Sequence, residues 1–231
     1  PYGTGVLIGP REVFEQGIPE RSGGGTIRMV TTEQVLWAEP PHKEEAGTPN
    51  LAGVVALAEA LTVLRELGMS QVVAWEKWLT TYTLRELSQI PGLRVYGTVG
   101  AEEDKRVGVI SFTMEAAEPA LVASILSHEG AVGVRHGCFC AQPYVMSLLR
   151  LSSEEKSRLW TQISQGLPVK KPGFVRISLG LYNTEEHIQR LVKYLRLISA
   201  GNSQGKYRYI QEEGCYWPLN FDPNPEYFFC L

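Results

Sequence analysis

The sequence predicts a mixed α/β domain built on a small, largely antiparallel sheet. Three observations predict it. Long segments with apolar residues at helical spacing recur at residues 51–67, 70–90, 118–129 and 185–198. Short apolar runs of strand length fall between them, at residues 93–96, 107–112, 131–134 and 174–179. Turn residues bound these runs, among them Pro91-Gly92, the charged stretch 102–106 and Pro172-Gly173.

In order, Val6, Leu7 and Ile8 read as a short strand, and residues 10–14 as a short turn or helix. A buried strand so near residue 1 suits the middle of a domain, so the chain is expected to be a piece of a longer one. Residues 15–26 form a loop with Gly23-Gly24-Gly25-Thr26, where glycine lets backbone approach another group closely. Such a loop suits phosphate contact or a plain surface turn equally. Residues 27–39 are mixed, a strand with a helical turn, broken by Pro40-Pro41. Glu45-Ala46-Gly47-Thr48-Pro49-Asn50 then opens the helix 51–67, which Gly68 stops. Thr48 lies where unpaired N–H groups can bind an anion, and Thr48 or Asn50 can equally be a simple cap.

Helix 70–90 carries Val73, Trp75, Trp78, Leu79, Tyr82 and Leu84, read mostly as core. Strands 93–96 and 107–112 flank a solvated hairpin tip at 102–106. Leu121, Val122, Ile125 and Leu126 give helix 118–129 an inward face. Residues 131–134 read as a buried strand, followed by a loop holding Arg135, His136, Cys138 and Cys140. Pro143 opens a helix at 144–149. A cysteine near a helix N-terminus and a fixed cation should have a lowered pKa and act as a nucleophile. A free cysteine is also common as buried apolar filler.

Ser152-Ser153-Glu154-Glu155 is a capping sequence for a helix running through Trp160 and Ile163 to Gly166. The strand 174–179 holds Arg176 in its interior, which is costly unless the charge is paired or lies on a solvent face. Tyr182-Asn183-Thr184 caps the helix 185–198. Residues 201–205 form a polar linker, and the aromatic tail 206–231 reads as a strap along the body or across a subunit interface.

Net charge is −3, with 44% hydrophobic and 20% charged residues, which gives no reason to expect a nucleic-acid or membrane partner. No apolar run is long enough to span a bilayer. Four irregularly spaced cysteines do not make a disulfide scaffold, so a reducing, cytoplasmic location is expected. No metal site is expected from Cys138, Cys140, Cys215 and Cys230, because structural zinc usually takes two tight ligand pairs.

Three blocks together resemble a known family: EAGTPN at 45–50, RHGCFCAQP at 135–143 and VRISLGLYNT at 175–184. In this order they are similar to the class V aminotransferases, specifically the cysteine desulfurase and selenocysteine lyase branch. Residues 1–9 and 23–27 match the same pattern, and the resemblance covers about residues 1–199. It implies the C-terminal part of a fold-type-I pyridoxal phosphate enzyme, normally a homodimer acting on a small amino acid and passing sulfur to an acceptor protein. Residues 1–50 would end the large domain, 51–200 form the small α/β domain, and 201–231 the tail.

By the same resemblance, Cys140 falls on the cysteine that takes sulfur from substrate cysteine as a persulfide, with alanine released. Arg176 falls on the arginine that binds the substrate carboxylate, and Arg135 on one near substrate and cofactor. Thr48 falls on a threonine that reaches the partner subunit's cofactor phosphate, and Gly24 and Gly25 on a glycine segment at the dimer interface. The lysine that carries pyridoxal phosphate would lie upstream of Pro1; no lysine of this chain sits in a matching motif. Two features depart from the pattern. Thirty-six positions, including an added helix, separate Cys140 from Arg176, and Cys138-Phe139 stands where polar residues are common. Another class V activity in which Cys140 is not the nucleophile, or a non-catalytic interaction module, are the competing expectations.

Overall fold

The computed structural model describes residues 3–97 and 106–220. The chain forms two compact units, Pro1–Met69 and Ser70–Leu231. The expected hairpin tip at 102–105 and the tail beyond residue 220 lie outside the described residues.

In the first unit, a short helix α1 (Arg11–Glu15) precedes a two-stranded antiparallel hairpin, β1 (Ile27–Val30) with β2 (Val35–Trp37). The hairpin replaces the expected strand and helical turn. Its turn closes through Thr31, whose hydroxyl accepts from the Gln34 N–H at 3.0 Å while its own N–H donates to Gln34 O. The expected strand at Val6, Leu7 and Ile8 does not form; the three side chains are 69–89% exposed in an irregular stretch. No described strand pairs with it to take its backbone hydrogen bonds. Helix α2 (Leu51–Leu67) is capped by Asn50, whose side chain accepts from Gly53 N at 3.0 Å, and it stops at Gly68 with φ 80°.

The second unit carries the core. Its sheet has the order β3-β4-β6-β5, antiparallel throughout: β3 (Leu93–Tyr96), β4 (Val109–Met114), β5 (Arg135–Gly137) and β6 (Phe174–Ser178). Successive strand residues face opposite sides. Ile110, Phe112, Val175 and Ile177 point one way, into a core closed by Leu79 and Leu87 of α3 (Met69–Leu87), Val122 and Leu126 of α4 (Pro119–Gly130), and Leu195 of α7 (Glu185–Ser199). Alternate residues Tyr96, Ser111, Thr113 and Arg176 therefore share the other face.

Two expectations are corrected here. The strand before the cysteines is Arg135–Gly137, not residues 131–134. Ala131 takes a left-handed cap (φ 50°) after α4, with Ala131 N donating to Ser127 O and Val132 N to Leu126 O, so the chain is still turning at those residues. On α3, Leu79 and Leu84 are buried as expected, but Val73, Trp75 and Trp78 are exposed in this unit. Trp75, Trp78 and Tyr82 stack in a row, with centroids 5.0 and 5.4 Å apart.

Between the cysteines and β6 run α5 (Gln142–Leu148) and the added helix α6 (Ser153–Ser164). The expected capping box is formed: Glu155 N donates to Ser152 Oγ, and Ser152 N to Glu155 Oε2. No residue of α6 is buried.

After α7 the strap expected from the aromatic tail is a hairpin, β7 (Tyr207–Ile210) and β8 (Cys215–Pro218), lying on α4. Glu129 at the end of α4 accepts hydrogen bonds from Gln204 N, Gly205 N and Tyr207 OH, at 2.9–3.0 Å. Burial raises the Glu129 pKa, but these three donors together outweigh it and hold the carboxyl below its ordinary value. The folded-state value being the lower one, the stabilisation is complete above the unfolded pKa and is lost as pH falls through the folded pKa. Amide protection in β7 is therefore expected to fall as pH is lowered through and below the ordinary carboxylate range in hydrogen exchange. Glu129→Gln is expected to remove that pH dependence and start from the weaker, acid-like level. An unchanged profile in the variant would show that Glu129 does not hold the hairpin.

Candidate active site

Arg176 sits in the middle of β6, directly opposite Ser111 of β4 on one side and Arg135 of β5 on the other. Directly opposed residues share a sheet face, so the two arginines are neighbours on the face away from the core. No described ion pair joins either one to a carboxylate. Arg176 Nε is buried and has no hydrogen-bond partner among the described residues. Such a group costs stability and calls for a functional account.

His136, one residue on, faces the core side opposite Val175. Burial, and then the positive charge of Arg135, push its pKa below the usual histidine value, which favours neutral imidazole.

From the last residue of β5 onward the backbone takes positive φ three times: Gly137 (φ 113°), Phe139 (φ 52°) and Cys140 (φ 59°). Non-glycine residues there are strained, and such strain concentrates at functional loops. Ala141 N donates to Cys138 O at 2.9 Å and closes the turn. The result leaves Cys140 exposed and Cys138 half-buried. Phe139 lies under the arginine, with Arg176 Cζ 4.8 Å from its ring centroid.

Gly173 lets this happen. A Cβ there would stand 2.6–2.7 Å from the backbone of Gly137, so only glycine allows β6 and the start of the cysteine loop to approach this closely. Sequence reasoning grouped Arg135, Cys140 and Arg176 but gave neither Phe139 nor Gly173 a part in the site. Past the loop, Met146, Trp160 and Ile163 help line an apolar groove of about 440 Å³ between α5 and α6.

The other expected residues lie in the first unit. Gly47 N donates to Gly24 O at 2.9 Å, joining the glycine loop to the segment that holds Thr48. Thr26, fully buried, pins the loop by donating its hydroxyl to Gly23 O and accepting from Gly23 N. Gly25 and Gly47 have φ of 88° and 85°, open turns that a side chain would strain. Thr48 itself is exposed. An exposed hydroxyl beside two bare glycine turns suits a phosphate ester, so these residues fit the anionic end of the expected cofactor.

Among the described residues no group of three or more histidine, cysteine or acidic side chains could hold a metal, and no helix is long and apolar enough to cross a membrane. The aminotransferase class-V family model matches residues 1–191. The chain belongs to the class V aminotransferase family. A probable cysteine desulfurase of Staphylococcus aureus (strain Mu50) is 36% identical over 196 residues, covering 85% of this chain and 41% of the relative. A cysteine desulfurase of Synechococcus elongatus is 35% identical over 202 residues, covering 87% of this chain and 28% of the relative.

Among solved structures, the apo cysteine desulfurase of Thermococcus onnurineus has a TM-score of 0.65 at 28% identity. The cysteine desulfurase CsdA of Escherichia coli, in an S-sulfonic acid form, has a TM-score of 0.64 at 25% identity. Each match covers 82% of this chain and 41% of the solved one. The chain thus spans less than half the length of these relatives. The family and the fold-type-I class expected from the three motif blocks are those of the proteins that this chain matches.

Proposed function

We propose that this chain carries the sulfur-accepting cysteine and the substrate-binding arginine of a pyridoxal-phosphate-dependent cysteine desulfurase. The observation behind it is the buried Nε of Arg176, without a hydrogen-bond partner among the described residues, in a side chain whose Cζ lies over the ring of Phe139, the residue before the exposed Cys140. A guanidinium so placed offers a carboxylate two parallel N–H donors. Arg135 adds a second positive charge beside it. Together they would hold an amino acid by its carboxylate with its side chain toward Cys140.

When bound, pyridoxal phosphate supplies an electron sink for the bonds at the amino-acid carbons. Cys140 Sγ, as thiolate, forms a bond to the substrate sulfur while that sulfur's bond to Cβ breaks. The electron pair of the broken bond stays with the carbon fragment, which takes up a proton and leaves as alanine. The enzyme keeps a persulfide, which an acceptor protein then removes. Holding the reactants side by side is the main contribution of this geometry to rate. Thr48, Gly24 and Gly25 are assigned to the cofactor phosphate, in a homodimer whose active sites draw on both subunits.

No lysine of this chain is assigned to the cofactor. Lys43 is 3% exposed with its Nζ donating to Gln16 O and Gly17 O, and Lys170 is paired with Glu118. The same reading puts residues 1–50 in the large domain, 51–200 in the small domain, 201–231 in a tail, and the protein in the cytoplasm.

The test replaces Cys140 by alanine in the cofactor-loaded full-length protein and follows sulfide and alanine released from L-cysteine under reducing conditions. Release is expected to fall to background while the fold, read by circular dichroism, is kept. Sulfur release at the wild-type rate would make Cys140 a bystander and favour another class V activity. Failure of the unaltered protein to use cysteine or selenocysteine would favour an interaction module.

A further inference from the structure

We propose that Phe139 is a positioning residue that couples the Cys140 loop to Arg176, so that a carboxylate held by the arginine selects which electrophiles reach the cysteine sulfur. This rests on the reading of Arg176 as a carboxylate binder and adds a residue to it.

Arg176 projects from the sheet face away from the core, and its Nε is buried with no hydrogen-bond partner among the described residues. It also stands opposite Arg135, and like charges in direct cross-strand register repel. No described carboxylate pairs with it. What holds the guanidinium is the Phe139 ring, 4.8 Å from Cζ. With Cζ over the ring and Nε buried, the two terminal amino groups are the ones that can meet a carboxylate in parallel hydrogen bonds.

The same ring belongs to the residue before Cys140, and both residues are left-handed. The loop therefore cannot shift Cys140 without moving the ring on Arg176. Substrate seat and acceptor sulfur are linked through one side chain. An aliphatic residue at 139 fills space but offers the cation no π face.

Alkylation tests this without turnover. Iodoacetate and iodoacetamide react alike: the thiolate forms an S–C bond and iodide leaves. They differ in that iodoacetate carries a carboxylate. Their rate ratio at Cys140 is read by peptide mass mapping in the full-length protein, relative to the same ratio at Cys215. The wild-type ratio is expected to favour iodoacetate by about tenfold, as a charge-assisted contact near the sulfur would give. Phe139→Leu should cut that preference by about three- to tenfold through loss of the cation–π contact, and Phe139→Tyr should restore it. Arg176→Gln should abolish it.

A Phe139→Leu ratio equal to wild type, with Arg176→Gln still lowering it, overturns the role of Phe139 alone. A ratio unmoved by Arg176→Gln overturns the carboxylate reading beneath it. Equal slowing of both reagents in Phe139→Leu, with the ratio kept, makes Phe139 a packing residue only and also overturns the proposal.

Discussion

Gly173→Ala is expected to lower the melting temperature of the second unit by roughly 5 °C and to disable the cysteine loop together with it. The added methyl would stand 2.6 Å from Gly137 C and 2.7 Å from its Cα and O. These are backbone atoms, so no side chain can swing aside. β5 must move away from β6, or the pairing of Gly137 with Phe174 must open. Overpacking of this kind costs about 1–3 kcal/mol, and each kcal/mol shifts a domain of this size by about 2–4 °C.

On the proposed reading, the loss of cysteine turnover should exceed the loss of stability, because β5 leads straight into Phe139 and Cys140. Thermal melting and cysteine turnover, measured well below the transition, separate the two effects. Gly137→Ala is an instructive control. A Cβ there meets no atom within 4 Å, but the residue must hold φ 113°. If Gly173→Ala melts with the wild type and turns over normally, the close approach of β5 and β6 is not what sets the loop.

Arg176→Met is expected to move stability and function in opposite directions. Methionine keeps much of the arginine's length and removes a buried donor that has no described partner. Leaving such a group unpaired costs about 1–3 kcal/mol. The substitution also relieves the repulsion with Arg135, and loses a cation–π contact of about 0.5–2 kcal/mol. The melting temperature should therefore match or exceed wild type. On the proposed reading, kcat/KM for cysteine should fall by about 10²- to 10³-fold, the usual scale for truncating one side of a buried charge contact. Arg176→Lys should rescue little, since a point charge does not reproduce the planar fork. A marked fall in the melting temperature with full activity would make Arg176 a structural residue.

Much of the second unit was legible in the sequence. Helix periodicity found α4 and α7 because their apolar residues face one core, and the Ser152 and Glu155 capping box announced α6. Arg176 stood out because a charge inside an apolar strand needs a reason. The misses have physical causes. Periodicity cannot say whether a partner strand exists, so Val6, Leu7 and Ile8 read as buried. Composition could not foresee the left-handed cap at Ala131, which delays the strand to Arg135. The parts of Phe139 and Gly173 are contacts across strands and loops, between residues far apart in sequence, and no local pattern encodes them.

The long path from Cys140 to Arg176 has a further meaning. The start of the cysteine loop is tied to the strand of Arg176 by hydrogen bonds running sideways between β5 and β6, not by the backbone that joins them. That backbone carries α6, which sinks nothing into the core. Lengthening such a bypass costs little, since closure entropy grows only with the logarithm of its length. On the proposed reading, the α6 segment alone is an exchangeable cassette: its surface can change, or be replaced by a tag or reporter, while Arg135 and Arg176 stay in register.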